Sequence, residues 1–173
     1  MWYNIIIILF RRKTFLSTKN KKTKLRILNN PPVFNPEKWK YAINAGCYPY
    51  AINLFYNKFA LVGDFIGKRC SEKVSDKILI ETLKKELKFL GYDVKETNTQ
   101  YSVKEDEIKI YIQRDEHTGY YHFLRQDKSG IWSHKFPNEL PTNLDSYGQV
   151  IEDPEEMVES AFYGWYFLLK RTS

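Results

Sequence analysis

A change of hydrophobic period in the middle of the chain constrains the fold more than any other feature. Between Ser75 and Gly91 the apolar residues Ile78, Leu79, Leu83, Leu87 and Leu90 recur at spacings of one, four, four and three, with Lys84, Lys85 and Lys88 off the stripe. That is a helical period. Ser75 suits the N-cap and Gly91 the stop, which predicts a helix over 76–90. From Ile108 the period is two, with Ile108, Ile110 and Ile112 alternating with Lys109, Tyr111 and Gln113. Glu116-His117-Thr118-Gly119 turns the chain into a second strand over 120–126, and Asp127-Lys128-Ser129-Gly130 turns it into a third over 131–135. A helix followed by an antiparallel meander predicts an α+β fold.

The flanks complete the expected architecture. Asn29-Asn30-Pro31-Pro32 and Asn35-Pro36 are turn and extended-chain chemistry, so a patterned domain is expected over 33–173, preceded by a leader over 1–32 that is expected to be poorly ordered. Tyr50, Ala51, Leu54 and Phe55 indicate a short helix with Pro49 in its first turn, where a missing N–H costs nothing and which leaves Cys47 at the helix start. Residues 59–68, with Gly63 and Gly67, read as a loop. Near the C-terminus a short strand is expected over 149–152. Asp153-Pro154-Glu155-Glu156 then has the form of a capping box and predicts a final helix carrying Met157, Ala161, Trp165 and Leu168.

Composition limits the partners. With 43% hydrophobic residues in 173, the chain can bury one core, and its longest apolar run, Ile5 to Phe10, is far short of the ~20 residues a membrane-spanning helix needs. No transmembrane segment is predicted. The formal net charge of +6 is unevenly spread: residues 1–36 carry Arg11, Arg12, Lys13, Lys19, Lys21, Lys22, Lys24 and Arg26 and no acid. A basic segment over 11–26 can hold a nucleic acid or an anionic surface. Lysine outnumbers arginine 20 to 7, which weakens the nucleic-acid reading, because phosphate recognition favours the arginine fork. Two cysteines, Cys47 and Cys70, allow one bridge at most and favour a reducing compartment.

Candidate chemistry centres on Cys47. A thiol at a helix start is stabilised as thiolate by backbone amides and the helix dipole. His122 and His134 lie on the second and third strands. If the intervening turn is a three-residue loop with Gly130 left-handed, Asp127 pairs with Ile131, His134 faces Leu124, and the two histidines are diagonal neighbours on one face. A base and its orienter can be built from such a pair. Arg125, at an odd offset from His122, is expected on the opposite face. A zinc site from Cys47, Cys70, His122 and His134 has suitable ligand types but no closely spaced pair. No cofactor is implied.

These residues resemble the papain-like cysteine hydrolases, especially the bacterial cell-wall endopeptidase branch, over roughly residues 40–135. Cys47-Tyr48-Pro49-Tyr50-Ala51, Tyr121-His122-Phe123-Leu124-Arg125-Gln126-Asp127 and Trp132-Ser133-His134-Lys135 are also similar to a set of bacterial, phage and large-virus proteins carrying Cys-Tyr-x-Tyr-Ala and Tyr-His-x-x-Arg-Gln-Asp…Trp-Ser-His-Lys. The resemblance implies Cys47 as nucleophile, His122 as general base and His134 as orienter, with Asp145 competing for that last role. It also implies the Cys47 amide as half of an oxyanion hole, with Asn44 or Tyr41 as candidates for the other half. Gly46 departs from the pattern, which has asparagine there.

Two functions follow as expectations. The first is a cysteine hydrolase acting on a peptide or other amide substrate through a thioester. The second is a non-catalytic binding or structural protein of the same fold, attached to nucleic acid or an anionic surface by its basic N-terminus. Geometry separates them: thiol and imidazole must share one layer for the first to hold.

Overall fold

The computed structural model describes residues 26–27, 31–71, 73–157 and 162–172. Most of the leader, residues 1–25, lies outside the described residues, as does Ala161. The element order is β1 (Arg26–Ile27), α1 (Pro36–Trp39), α2 (Cys47–Ala51), β2 (Leu54–Phe55), α3 (Asp76–Phe89), β3 (Tyr92–Thr97), β4 (Glu107–Asp115), β5 (Tyr121–Gln126), β6 (Trp132–His134) and β7 (Phe162–Arg171). Short 3₁₀ turns occupy Lys40–Ala42 and Asp64–Ile66. The five long-range strands form one antiparallel sheet in the order β3-β7-β4-β5-β6. Mixed helix and antiparallel sheet is the expected α+β class.

Alternation divides the sheet into two faces. On one, Ile108, Ile110, Ile112, Phe123, Phe167 and Leu169 pack against α2 and α3 in the main core. On the other, Tyr111, Leu124, Trp132 and Tyr166 pack with Ile151. The helix α3 buries Leu79, Leu83 and Leu87, while Ile78, part of the expected stripe, is 52% exposed. Glu86 takes a core position instead. The helix ends at Leu90, and Gly91 turns the chain with a φ of +86°.

The C-terminal helix expected from the sequence is a strand. β7 is inserted between β3 and β4, with Tyr92 opposite Arg171 and Ile112 opposite Trp165. Both of its faces are buried, Phe167 and Leu169 on the helix side and Tyr166 and Leu168 on the other. A doubly buried strand shows no alternation, so its apolar run reads equally as helix, although its aromatic content favours sheet. The capping-box residues form a turn: Asp153 accepts from the Glu155 amide at 2.9 Å, and its carboxylate also takes the Thr99 and Tyr166 hydroxyls at 3.0 and 3.1 Å. Tyr92–Thr97, unassigned by sequence, is the polar edge strand β3.

Two N-terminal features tie the start of the chain to the domain. Arg26 and Ile27 pair with Phe55 and Leu54, and the Pro32 carbonyl accepts from the Lys128 amide at 2.8 Å. Folded structure therefore reaches back into the expected leader. The segment near 150 extends the β6 edge, with the Ile151 carbonyl accepting from the Trp132 amide and Leu144 bridging Val150.

Candidate functional site

The β5–β6 turn sets the geometry of the site. The Asp127 amide donates to the Ile131 carbonyl at 2.9 Å, Gly130 has a φ of +89°, and His134 stands opposite Leu124. This is the three-residue loop on which the shared histidine face is conditional. His122 and His134 consequently share a face, and His122 Nε2 lies 2.9 Å from His134 Nδ1, with the rings nearly perpendicular. His134 Nε2 is 3.1 Å from the Leu144 carbonyl, which can only accept. With both rings neutral, His134 therefore donates through Nε2 and accepts at Nδ1, and His122 donates through Nε2. The His122 Nδ1 lone pair is left without a hydrogen-bond donor among the described residues. Phe136 stacks on His122 at 4.7 Å. Burial, and then the neighbouring His134, push the His122 pKa down to about 3.

Cys47 stands on the other side of the sheet. It packs against the helix-side core, on the face of Phe123, whereas His122 and His134 share the parity of Leu124. Among the described residues no hydrogen bond joins the thiol to His122. The thiol is not activated: burial pushes its pKa up to about 11, although the Phe123, Tyr48 and Cys47 amides and the Lys135 charge act in the opposite direction. The expectation of a lowered pKa fails because α2 spans five residues, too short for a large dipole to offset desolvation.

The remaining candidates are used structurally. Asn44 donates to Asn57 Oδ1 through both its backbone amide and its side chain, each at 3.1 Å, and Tyr41 is 70% exposed. Asp145 braces its own turn by accepting from the Tyr147 and Gln149 amides at 2.9 and 2.8 Å. Cys70 is buried in the main core, away from the histidines. Among the described residues no group of three His, Cys, Asp or Glu side chains is placed to hold a metal ion. In the same residues no helix is long and apolar enough to cross a membrane.

Sequence reasoning placed Arg125 on the face opposite His122 but missed what it does there. It is 1% exposed and stacks 3.9 Å above the Tyr50 ring. Its guanidinium donates from Nε to Asp127 at 3.2 Å and from Nη1 to the Tyr50 carbonyl and Asn53 Oδ1 at 3.1 and 2.9 Å. Ser133 donates to the other Asp127 oxygen and so accepts the Tyr50 hydroxyl at 2.7 Å. Lys135 donates to the Ile43, Ala45 and Phe136 carbonyls at 2.7, 2.6 and 3.1 Å, and burial pulls its pKa down to about 8. Glu86 accepts from Tyr48 Oη at 2.6 Å and from the Gly63 and Phe65 amides at 2.7 and 2.6 Å. The available signal was parity: a charge on the same strand face as Phe123 must be buried and partnered.

On the opposite face the histidine pair borders a cavity of about 720 Å³. Its walls include Tyr120, Tyr121, Phe136, Leu144 and Met157. Its charged lining residues are Asp115, Glu139 and Asp145, with no lysine or arginine among them.

No protein-family model and no solved structure matches the chain. Among curated proteins it is similar to insoluble matrix shell protein 1 of Ruditapes philippinarum, with 30% identity over 138 residues that cover 76% of this chain and 86% of the relative. A relative that is a matrix protein overturns the cysteine-hydrolase expectation, and with it the peptidase assignment, in agreement with a thiol left unactivated on the far side of the sheet from the imidazoles. The chain belongs to the family of insoluble matrix shell protein 1.

Proposed function

We propose that this protein is a non-catalytic structural component of an insoluble protein matrix. The observation that carries this reading is the relationship to a shell matrix protein along most of that protein's length. The geometry agrees with it. The polar residues of the Tyr-His-x-x-Arg-Gln-Asp…Trp-Ser-His-Lys pattern are occupied in holding backbone and neighbouring side chains: Arg125, Asp127 and Ser133 in one cluster, Lys135 on three carbonyls. A papain-like layout is the scaffold in this reading, with a cysteine-led helix start against a sheet whose adjacent strands carry histidine. The scaffold is used for stability rather than turnover. The basic stretch over 11–26 supplies attachment to an anionic surface.

Alkylation and retention together test this. Native protein treated with iodoacetamide at neutral pH should leave Cys47 unmodified, with full labelling only after denaturation. The full chain should be retained on a carboxylate-bearing resin and released by salt. Rapid alkylation of native Cys47, faster than that of an unfolded control, overturns the reading, as does retention on the resin that is indifferent to salt.

A further inference from the structure

Resting on the matrix reading, we infer that the cavity beside His122 and His134 is a docking site for residues 5–13 of the leader of a second copy of this chain, so that copies join head to tail. The cavity and the leader segment are complementary in both composition and charge. Ile5 to Phe10 is the longest apolar run in the sequence and is followed directly by Arg11, Arg12 and Lys13. The cavity offers apolar walls with a rim that is acidic at Asp115, Glu139 and Asp145. Tyr120, Phe136 and Leu144 along it are 49%, 46% and 39% exposed, a cluster of apolar side chains that nothing described covers. At about 720 Å³ it accommodates several side chains.

Placement in the fold favours a second copy over the chain's own leader. The leader joins the described structure at Arg26, where β1 pairs with β2, and Ile27 and Leu54 belong to the helix-side core. The cavity is on the opposite face, with His122 and His134. From Lys13 to Arg26 an extended chain spans about 45 Å, against a domain diameter of about 40 Å. Returning to its own cavity, the leader must wrap around the sheet edge. Half the circumference of a domain of that diameter is about 60 Å, longer than the segment spans, and a neighbour's cavity imposes no such detour. The two surfaces differ, so the contact is heterologous, the kind of symmetry that builds rings or open polymers rather than two-fold dimers.

Sedimentation velocity on the full chain, at low and high salt and over a range of concentrations, reads this directly. Two variants carry the test: a cavity variant with Asp115→Asn, Glu139→Lys and Asp145→Asn, which keeps the turn-bracing acceptors, and a leader variant with Arg11→Glu, Arg12→Glu and Lys13→Glu. Unchanged thermal unfolding confirms that each is folded. The wild-type chain should associate with rising concentration and dissociate in salt, each variant alone should associate about tenfold or more weakly, and mixing the two should restore a pairwise complex. Carbodiimide cross-links from Lys13 to the cavity acids should join isotopically light to heavy copies. A wild-type chain that stays monomeric, cross-links confined within one copy, or variants that associate as the wild type does, each overturn the docking. None of these outcomes alters the Cys47 alkylation result, so failure of the docking and failure of the matrix reading are separately visible.

Discussion

The strands β5 and β6 carry two polar clusters on opposite faces, a few residues apart, and the two are built on opposite principles. Toward the helices, Arg125, Asp127, Ser133 and Tyr50 use one another and the α2 backbone, with Arg125 reaching Asn53, a residue held at a φ of +56°. Toward the cavity, the chain from His122 through His134 to the Leu144 carbonyl runs in one direction and ends on an imidazole lone pair. The first cluster substitutes for regular structure. Segments around α1 and α2 are too short to satisfy their own carbonyls, so Arg125 and Lys135 do so from the sheet. The second leaves polar capacity at a surface where something else can bind. Saturation therefore marks the part of the pattern that holds the fold, and an incomplete hydrogen-bond inventory marks the part open to a partner.

Breaking the saturated cluster should have the largest effect. Arg125→Met leaves Asp127 buried without its cation and is expected to cost about 3–5 kcal/mol, measured by urea unfolding. Asp127→Asn combined with Arg125→Met should recover part of that loss. A full recovery by the double variant is not expected, because the Tyr50 carbonyl and Asn53 Oδ1 lose the Arg125 donor.

The histidine side of the comparison is sharpened by pH. His122 titrates at about 3 in the folded protein and near 6.5 when unfolded. Between those values the unfolded chain binds more protons, so stability falls as pH drops from about 6.5 toward 3. The slope approaches about 1.4 kcal/mol per pH unit, for a total of about 4 kcal/mol across that range. His122→Phe should flatten that limb, leaving the carboxylate contributions. An unchanged pH profile would place the destabilisation elsewhere.

Smaller effects test the remaining contacts. Glu86→Gln exchanges an acceptor that takes three donors for a mixed group, and about 1–3 kcal/mol should be lost in thermal or urea unfolding. Cys47→Ala should cost only about 1 kcal/mol, since it removes one partly buried sulfur that has no disulfide and no side-chain hydrogen bond among the described residues. A loss comparable to that of Arg125→Met would mean that the thiol anchors the helix-side cluster.

Much of this molecule was legible in the chain itself. The helix over Asp76–Phe89, the position of the β5–β6 turn and the reversed orientation of Arg125 all follow from local period and glycine placement, and the shared face of His122 and His134 follows once that turn has three residues. Those features depend on residues within about a dozen positions of one another. The C-terminal strand did not follow, because β7 is defined by pairing with residues of β3 and β4 that lie 47 to 79 positions earlier, and burial on both faces erased its period. The state of Cys47 was equally hidden. Its position at a helix start is local, but its desolvation depends on the core that closes over it.

What the sequence determined alone is therefore the alternation of the meander, the place of the turn between the two histidine strands and the separation of a basic leader from a nearly balanced domain. Only the tertiary structure decided which of the reactive-looking residues are reactive. A thiol, an imidazole or a guanidinium takes its chemistry from water, charges and partners brought in by distant segments. Here those segments desolvate Cys47, keep His122 neutral and saturate Arg125.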